Sequence, residues 1–170
     1  MTIKKRTLSR LTAVQVLYQY DFFKGVEEPS KIKAGVLDYY LKSKIEDFDL
    51  TETQTASNVK VEESKEAPKL SKIIDLGFLD KLLDNIFANL VDIDETIQKF
   101  VNDKEDPRKT DELLREILRL AVLELKFIKD APKNVIINEY TNLTGQFYEK
   151  NITSFVNGVL ENIAKSVYST

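Results

Sequence analysis

Three runs decide the fold of this chain: I-L-R-L-A-V-L-E-L (residues 117–125), P-K-N-V-I-I-N-E (132–139) and F-V-N-G-V-L-E-N-I-A (155–164). Each has apolar residues at helical spacing, yet each carries polar residues that core packing alone does not select. Asn138, Asn157 and Gly158 are poor helix formers, so these positions encode something besides burial. The helix predicted over residues 112–128 is apolar around most of its circumference, as a central buried helix must be. Its polar stripe is Glu112, Arg115, Glu116, Arg119 and Lys126, while Glu124 falls inside the apolar arc. A carboxylate placed there is expected to be structural, accepting hydrogen bonds from a neighbouring helix or loop. Pro132 opens the next helix, which carries Val135, Ile136, Glu139, Leu143 and Phe147. The last helix is expected to start near Thr153 or Ser154, with Gly158 admitting another helix at close range.

Outward from this region the pattern stays helical. Residues 9–23 predict a helix with Leu8, Leu11, Val14, Leu17 and Tyr18 near one face, capped by Ser9 or Thr7 and ended by Gly25. A second helix starts at Pro29, runs through Ile32, Val36, Tyr39 and Tyr40, and fades near Lys44. Residues 51–69 have no aromatic residue and few apolar ones, too few to offset the entropy of ordering them. We read a mobile loop insertion over about residues 45–72. Helical spacing resumes with Phe78, Leu79, Leu82, Leu83, Ile86, Phe87 and Leu90. Ile93, Ile97, Phe100 and Val101 predict a separate short helix after Asp92. Pro107 breaks the pattern, and Thr110 or Asp111 caps the central helix. The expectation is one all-α domain over residues 1–170 with about seven helices.

Composition narrows the chemistry. Histidine and cysteine are both absent, which removes disulfides, most zinc sites and the Ser-His and Cys-His nucleophile systems. None of the five glycines forms a phosphate-cradling loop, so no catalytic residue, metal or cofactor is expected. No apolar run approaches the ~20 residues of a membrane span, and the basic start lacks the apolar stretch of a secretory signal. Net charge is −3, but Lys4, Lys5, Arg6 and Arg10 all precede the first acidic residue, Asp21. That places +4 at the start of the chain on a body of −7. Such a patch can guide a polyanion to one place, but from charge alone a frayed, solvated terminus is the reading ahead.

Taken with A-V-Q-V-L-Y-Q (13–19), the three runs and their order resemble the signature runs of the NusB family of bacterial transcription antitermination factors. The resemblance covers the first helix and nearly everything from Phe78 onward. It implies an all-helical fold of two packed bundles and a cytoplasmic protein without catalytic activity. It also implies binding of single-stranded boxA-type RNA in nascent ribosomal transcripts, together with NusE, a small-subunit ribosomal protein. Other Nus factors and RNA polymerase complete the implied assembly.

Residue by residue, Arg6 and Arg10 match the arginine-rich start of the first helix. Thr7 and Leu8 stand where further basic residues are common, and Leu11 replaces the usual glutamate. The implied RNA footprint therefore shifts toward Lys4 and Lys5. Phe100, Arg119 and Phe155 match positions on the RNA face, where aromatic faces stack bases and guanidinium groups bind phosphate. Spacing alone would put both phenylalanines in the core and Arg119 on an ordinary surface stripe. For NusE, the resemblance points to the exposed end of the first helix around Tyr18 and Phe22. Leu114 stands at an often acidic position of the central helix.

Two related readings differ from this one. A NusB-like module fused to a ribosomal RNA methyltransferase would need a long following domain, which is not expected after Thr170. The thinned basic patch and negative net charge fit a protein-interaction module with weak or lost RNA binding.

Overall fold

The computed structural model describes residues 4–52, 69–101 and 111–169. Seven α-helices make up this part of the chain: α1 (Lys5–Phe22), α2 (Pro29–Glu52), α3 (Leu70–Ile73), α4 (Leu76–Phe100), α5 (Glu112–Leu123), α6 (Lys133–Thr144) and α7 (Lys150–Tyr168). Helices α1, α2 and α4 pack as one bundle and α5, α6 and α7 as a second, with α1 and α4 laid against α5. No strand occurs among the described residues.

Helix α5 is the shared core element, as its apolar circumference predicts. Ile117, Leu118, Leu120, Ala121, Val122 and Leu123 are all fully buried. It runs on into a single π-helical turn, Glu124–Ile128, in which Glu124 and Leu125 both remain buried. Lys129 ends the turn in the left-handed conformation, at φ 54°. Asp111 caps α5 by accepting the Leu114 N–H at 3.0 Å, and Asp75 caps α4 through Phe78 N–H at 2.9 Å. Gly25, at φ 70°, closes α1 by donating its N–H to the Tyr20 carbonyl, which is the stop its position predicts.

The structure corrects several boundaries. Helix α1 begins at Lys5, so Thr7 and Ser9 are internal; Ser9 Oγ instead bonds the Lys5 and Asp75 carbonyls, tying α1 to the start of α4. Helix α4 is continuous through Asp92, where a break was expected. An exposed aspartate costs a helix only tenths of a kcal/mol, and Asp92 is paired with Lys126. Helix α7 starts at Lys150, a turn earlier than its sequence suggests. Around Gly158 nothing lies within 4 Å of where a Cβ would stand, so close helix packing is not its reason. Tyr39, one of the residues by which the sequence reads as a second helix, is 69% exposed. Most of the expected insertion, together with Pro107 and Thr110, lies outside the described residues. At its edges the chain is helical, as far as Glu52 and again from Leu70.

Candidate functional site

The basic start of α1 presents Lys4, Lys5 and Arg6 to solvent. Lys5 Nζ reaches the Ser71 carbonyl at 2.7 Å. Arg6 lies 4.6 Å from the Phe78 ring centre and 3.5 Å from Asp75, loose contacts that leave most of its donors open.

Arg10, one turn further, is different. Its side chain is 5% exposed and forks onto Glu124, with Nε–Oε1 at 2.7 Å and Nη2–Oε2 at 2.8 Å. Nη1 reaches Glu139 on α6 at 3.2 Å, and Thr7 Oγ1 donates to the same carboxylate at 2.7 Å. Tyr140 OH donates to Glu124 at 2.6 Å. Burial opposes the charge on Arg10, but the fork and the field of Glu124 outweigh it and raise its pKa. Burial and the Glu124 charge hold the Tyr140 phenol well above its usual range. Glu124 is therefore the structural acceptor its position in the apolar arc predicts. Arg10, expected on the RNA surface, is corrected to a buried clamp joining α1, the π turn and α6. Sequence gives its charge but not the carboxylate 114 residues away.

Arg119 is also spoken for. Nε and Nη2 fork onto Asp94 of α4 at 2.8 and 2.7 Å, while Nη1 reaches Asp21 of α1 at 2.9 Å and Glu116 at 3.1 Å. Arg115 joins Asp21 at 2.9 Å and Glu116 at 3.0 Å. Glu116, on the polar stripe by spacing, is fully buried; desolvation, aided by the Asp21 charge, raises its pKa to about 7 against the pull of both arginines. Asp21 stands 16 residues along α1 from Lys5, about 24 Å at the helical rise. The structure does not bring Arg119 together with the basic start.

Phe100, the last residue of α4, and Phe155 are both half-buried and pack on the core, as spacing alone suggests. At the far end of α1, Tyr18 is 38% and Phe22 64% exposed. Phe23 adds to this patch, its ring edge-on to Phe22 at 5.5 Å; the signal was an aromatic just past the last helical residue. Leu114 is buried, so at this position the chain offers no surface charge. No group of acidic side chains among the described residues is placed to hold a metal ion.

The class of protein is thus a two-bundle helical protein with a basic surface at one end of its first helix and an aromatic surface at the other. The chain belongs to the NusB family, which its residues 7–165 match. It is 29% identical over 163 residues to the transcription antitermination protein NusB of Rickettsia massiliae, covering 96% of this chain and 93% of that one. The NusB of Rickettsia akari is 30% identical over the same span and coverage. Among solved structures, T. maritima NusB superposes with a TM-score of 0.65 at 27% identity, over 97% of this chain and 93% of that one. The fold is also shared, at TM-score 0.67 and 23% identity, with a structure of the antitermination factors NusB and NusE in complex with dsRNA, over 97% of this chain and 99% of that one.

Proposed function

We propose that the chain is a transcription antitermination factor that binds single-stranded boxA-type RNA together with NusE, and through other Nus factors acts on RNA polymerase. The observation that carries this reading is the match to NusB relatives along nearly the whole chain. In this reading Lys4, Lys5 and Arg6 meet phosphates directly, while Arg10 and Arg119 position helices. Tyr18, Phe22 and Phe23 form the NusE-facing patch, exposed apolar surface of the kind a partner covers. The protein works in the cytoplasm and catalyses no reaction; no described helix is long and apolar enough to cross a membrane. The domain is read as single, with the insertion at about residues 45–72; replacing residues 51–69 by a short Gly/Ser linker should leave the melting transition nearly unchanged.

The test is a titration of fluorescent boxA-type RNA with and without NusE. If Lys4, Lys5 and Arg6 neutralise three phosphates, they should contribute about −2 to the slope of log K against log salt. Replacing Lys4, Lys5 and Arg6 together by Ala should remove that contribution. Coupling between NusE and RNA should be about 1–3 kcal/mol and reciprocal. Absence of RNA binding in the ternary mixture would defeat the proposal. The specific burial of Arg10 and the full engagement of Arg119 favour a second reading, an interaction module whose RNA binding is weak or lost. NusE binding without RNA binding would select it.

A further inference from the structure

Asn138, Asn157 and Gly158 remain without a packing role, and the two asparagines line one groove. Helices α6 and α7 enclose an open groove of about 370 Å³. Ile137 and Ala164 form its apolar floor, and Asn134, Asn138 and Asn157 line its walls. The side chains of Asn134 and Asn138 make no hydrogen bond among the described residues, while Asn157 is held between Thr141 at 3.3 Å and Glu161 at 3.1 Å. Gly158 stands next to Asn157 in open space, at a helical cost that no internal neighbour explains.

Several lysines, Lys24, Lys72, Lys99 and Lys150 among them, lack an ion-pair partner among the described residues, but around the groove three more such lysines come together. The arginines of α1 and α5, and Lys33, Lys81 and Lys126, each have a carboxylate within ion-pair distance. Lys133 and Lys165, at the groove, have none among the described residues, nor has Lys129 beside it. The left-handed turn at Lys129 brings its ammonium to 5.2 Å from the Tyr168 ring, and Lys133 lies 5.7 Å from the same ring. The Tyr168 hydroxyl is itself enclosed without a hydrogen-bond partner. Three lysines without an ion-pair partner among the described residues thus gather beside Asn134 and Asn138, whose amides make no hydrogen bond there. Glu161 is the only carboxylate lining the groove among the described residues, and Asn157 already donates to it.

Lysine ammonium groups suit phosphates, and asparagine amides suit the exposed edges of unpaired bases. Glu139, which receives Thr7 and Arg10 from α1, is the residue after Asn138, so the groove and the start of α1 lie on adjoining flanks of α6. We propose that this α6–α7 groove binds a stretch of single-stranded RNA continuous with the strand held by Lys4, Lys5 and Arg6. The inference rests on the RNA-binding reading above and extends its footprint to a second element pair.

The test uses the full chain with NusE and a fluorescent single-stranded boxA-type RNA of about twenty nucleotides, long enough to reach both surfaces. Lys133→Gln with Lys165→Gln should flatten the salt slope by about 1.4 and weaken binding about 25-fold at 0.1 M salt. Gly158→Leu should weaken binding while the melting midpoint holds or rises. Lys42→Gln, remote on α2, should change neither. Independently of any variant, RNA carrying 4-thiouridine should crosslink to α6 and α7 peptides of the wild-type chain. If wild-type binds RNA but the groove variants bind equally and crosslinks avoid α6 and α7, the groove proposal falls and the function stands. If wild-type with NusE binds no RNA, the function falls and the groove with it.

Discussion

Arg10 and Arg119 hold equivalent forks on carboxylates, yet they sit in opposite settings. The Arg10–Glu124 pair is closed on every side, at 5% and 1% side-chain exposure, with Tyr140 and Glu139 completing its hydrogen bonds. The Arg119 cluster is open: Asp94 is 44% and Asp21 28% exposed. The closed pair is balanced within itself, one guanidinium against Glu124, with Glu139 at the rim. The open cluster sets two arginines against three carboxylates, Asp21, Asp94 and Glu116. Desolvation therefore has different consequences. In the closed pair the fork and the Glu124 charge outweigh it at Arg10; in the open cluster it falls on Glu116, the surplus and deepest carboxylate.

The most severe break is removal of one closed partner. Arg10→Ala leaves Glu124 buried without its cation, which should cost about 3–5 kcal/mol in urea unfolding. Glu124→Gln strands the guanidinium and should cost a similar amount. Replacing both, as Arg10→Met with Glu124→Leu, should recover much of the loss, because the desolvation penalty disappears with the charges. A loss below about 1 kcal/mol in the single variants would mean that water reaches the pair. RNA affinity per folded molecule should stay near wild-type in Arg10→Met/Glu124→Leu, since Arg10 does not reach the surface.

The open cluster should respond to pH. Glu116 has a folded pKa of about 7 against 4.5 for the ordinary side chain. The folded state thus binds this proton more tightly than the unfolded state. The associated stability is complete below about pH 4.5 and is lost as pH rises to about 7, up to about 3 kcal/mol. Glu116→Gln mimics the protonated acid and should match wild-type near pH 5. By pH 8 it should be the more stable of the two. Parallel stability curves for the two proteins would show that Arg115 and Arg119 keep Glu116 ionised in the fold.

This contrast also marks what the sequence could disclose. Glu124 was legible as structural because a carboxylate inside an apolar helical arc must be satisfied locally. The caps and stops at Asp111, Pro132 and Gly25 were legible because they act over three or four residues. Arg10 and Arg119 were not, since their partners come from other helices: Glu124 lies 114 positions from Arg10, and Asp94 and Asp21 lie 25 and 98 positions from Arg119. The continuity of α4 through Asp92 was hidden for a related reason: its pairing with Lys126 comes from another helix. The open space at Gly158 depends on where α6 and α7 end up, which no local pattern reports.

The mildest break separates the two settings by salt. Arg115 is 27% exposed, and its partner Asp21 is 28% exposed and still held by Arg119 after Arg115 is removed. Arg115→Ala should therefore cost at most about 1 kcal/mol, because solvent screens the pair and the cluster keeps a second cation. Raising sodium chloride from 0.05 to 1 M shortens the screening length from well over 10 Å to about 3 Å. The Arg115→Ala deficit should shrink toward zero over that range, while the Arg10→Ala deficit should hardly move, since ions do not enter a closed site. A salt-insensitive deficit in Arg115→Ala would mean that the arginine acts through its buried contact with Glu116 at 3.0 Å rather than through Asp21. In that case the Glu116→Gln background should abolish the deficit at every salt concentration. If the deficit instead persists in that background and fades with salt, the exposed pair with Asp21 carries it, and the line between open and closed charge falls between Arg115 and Glu116.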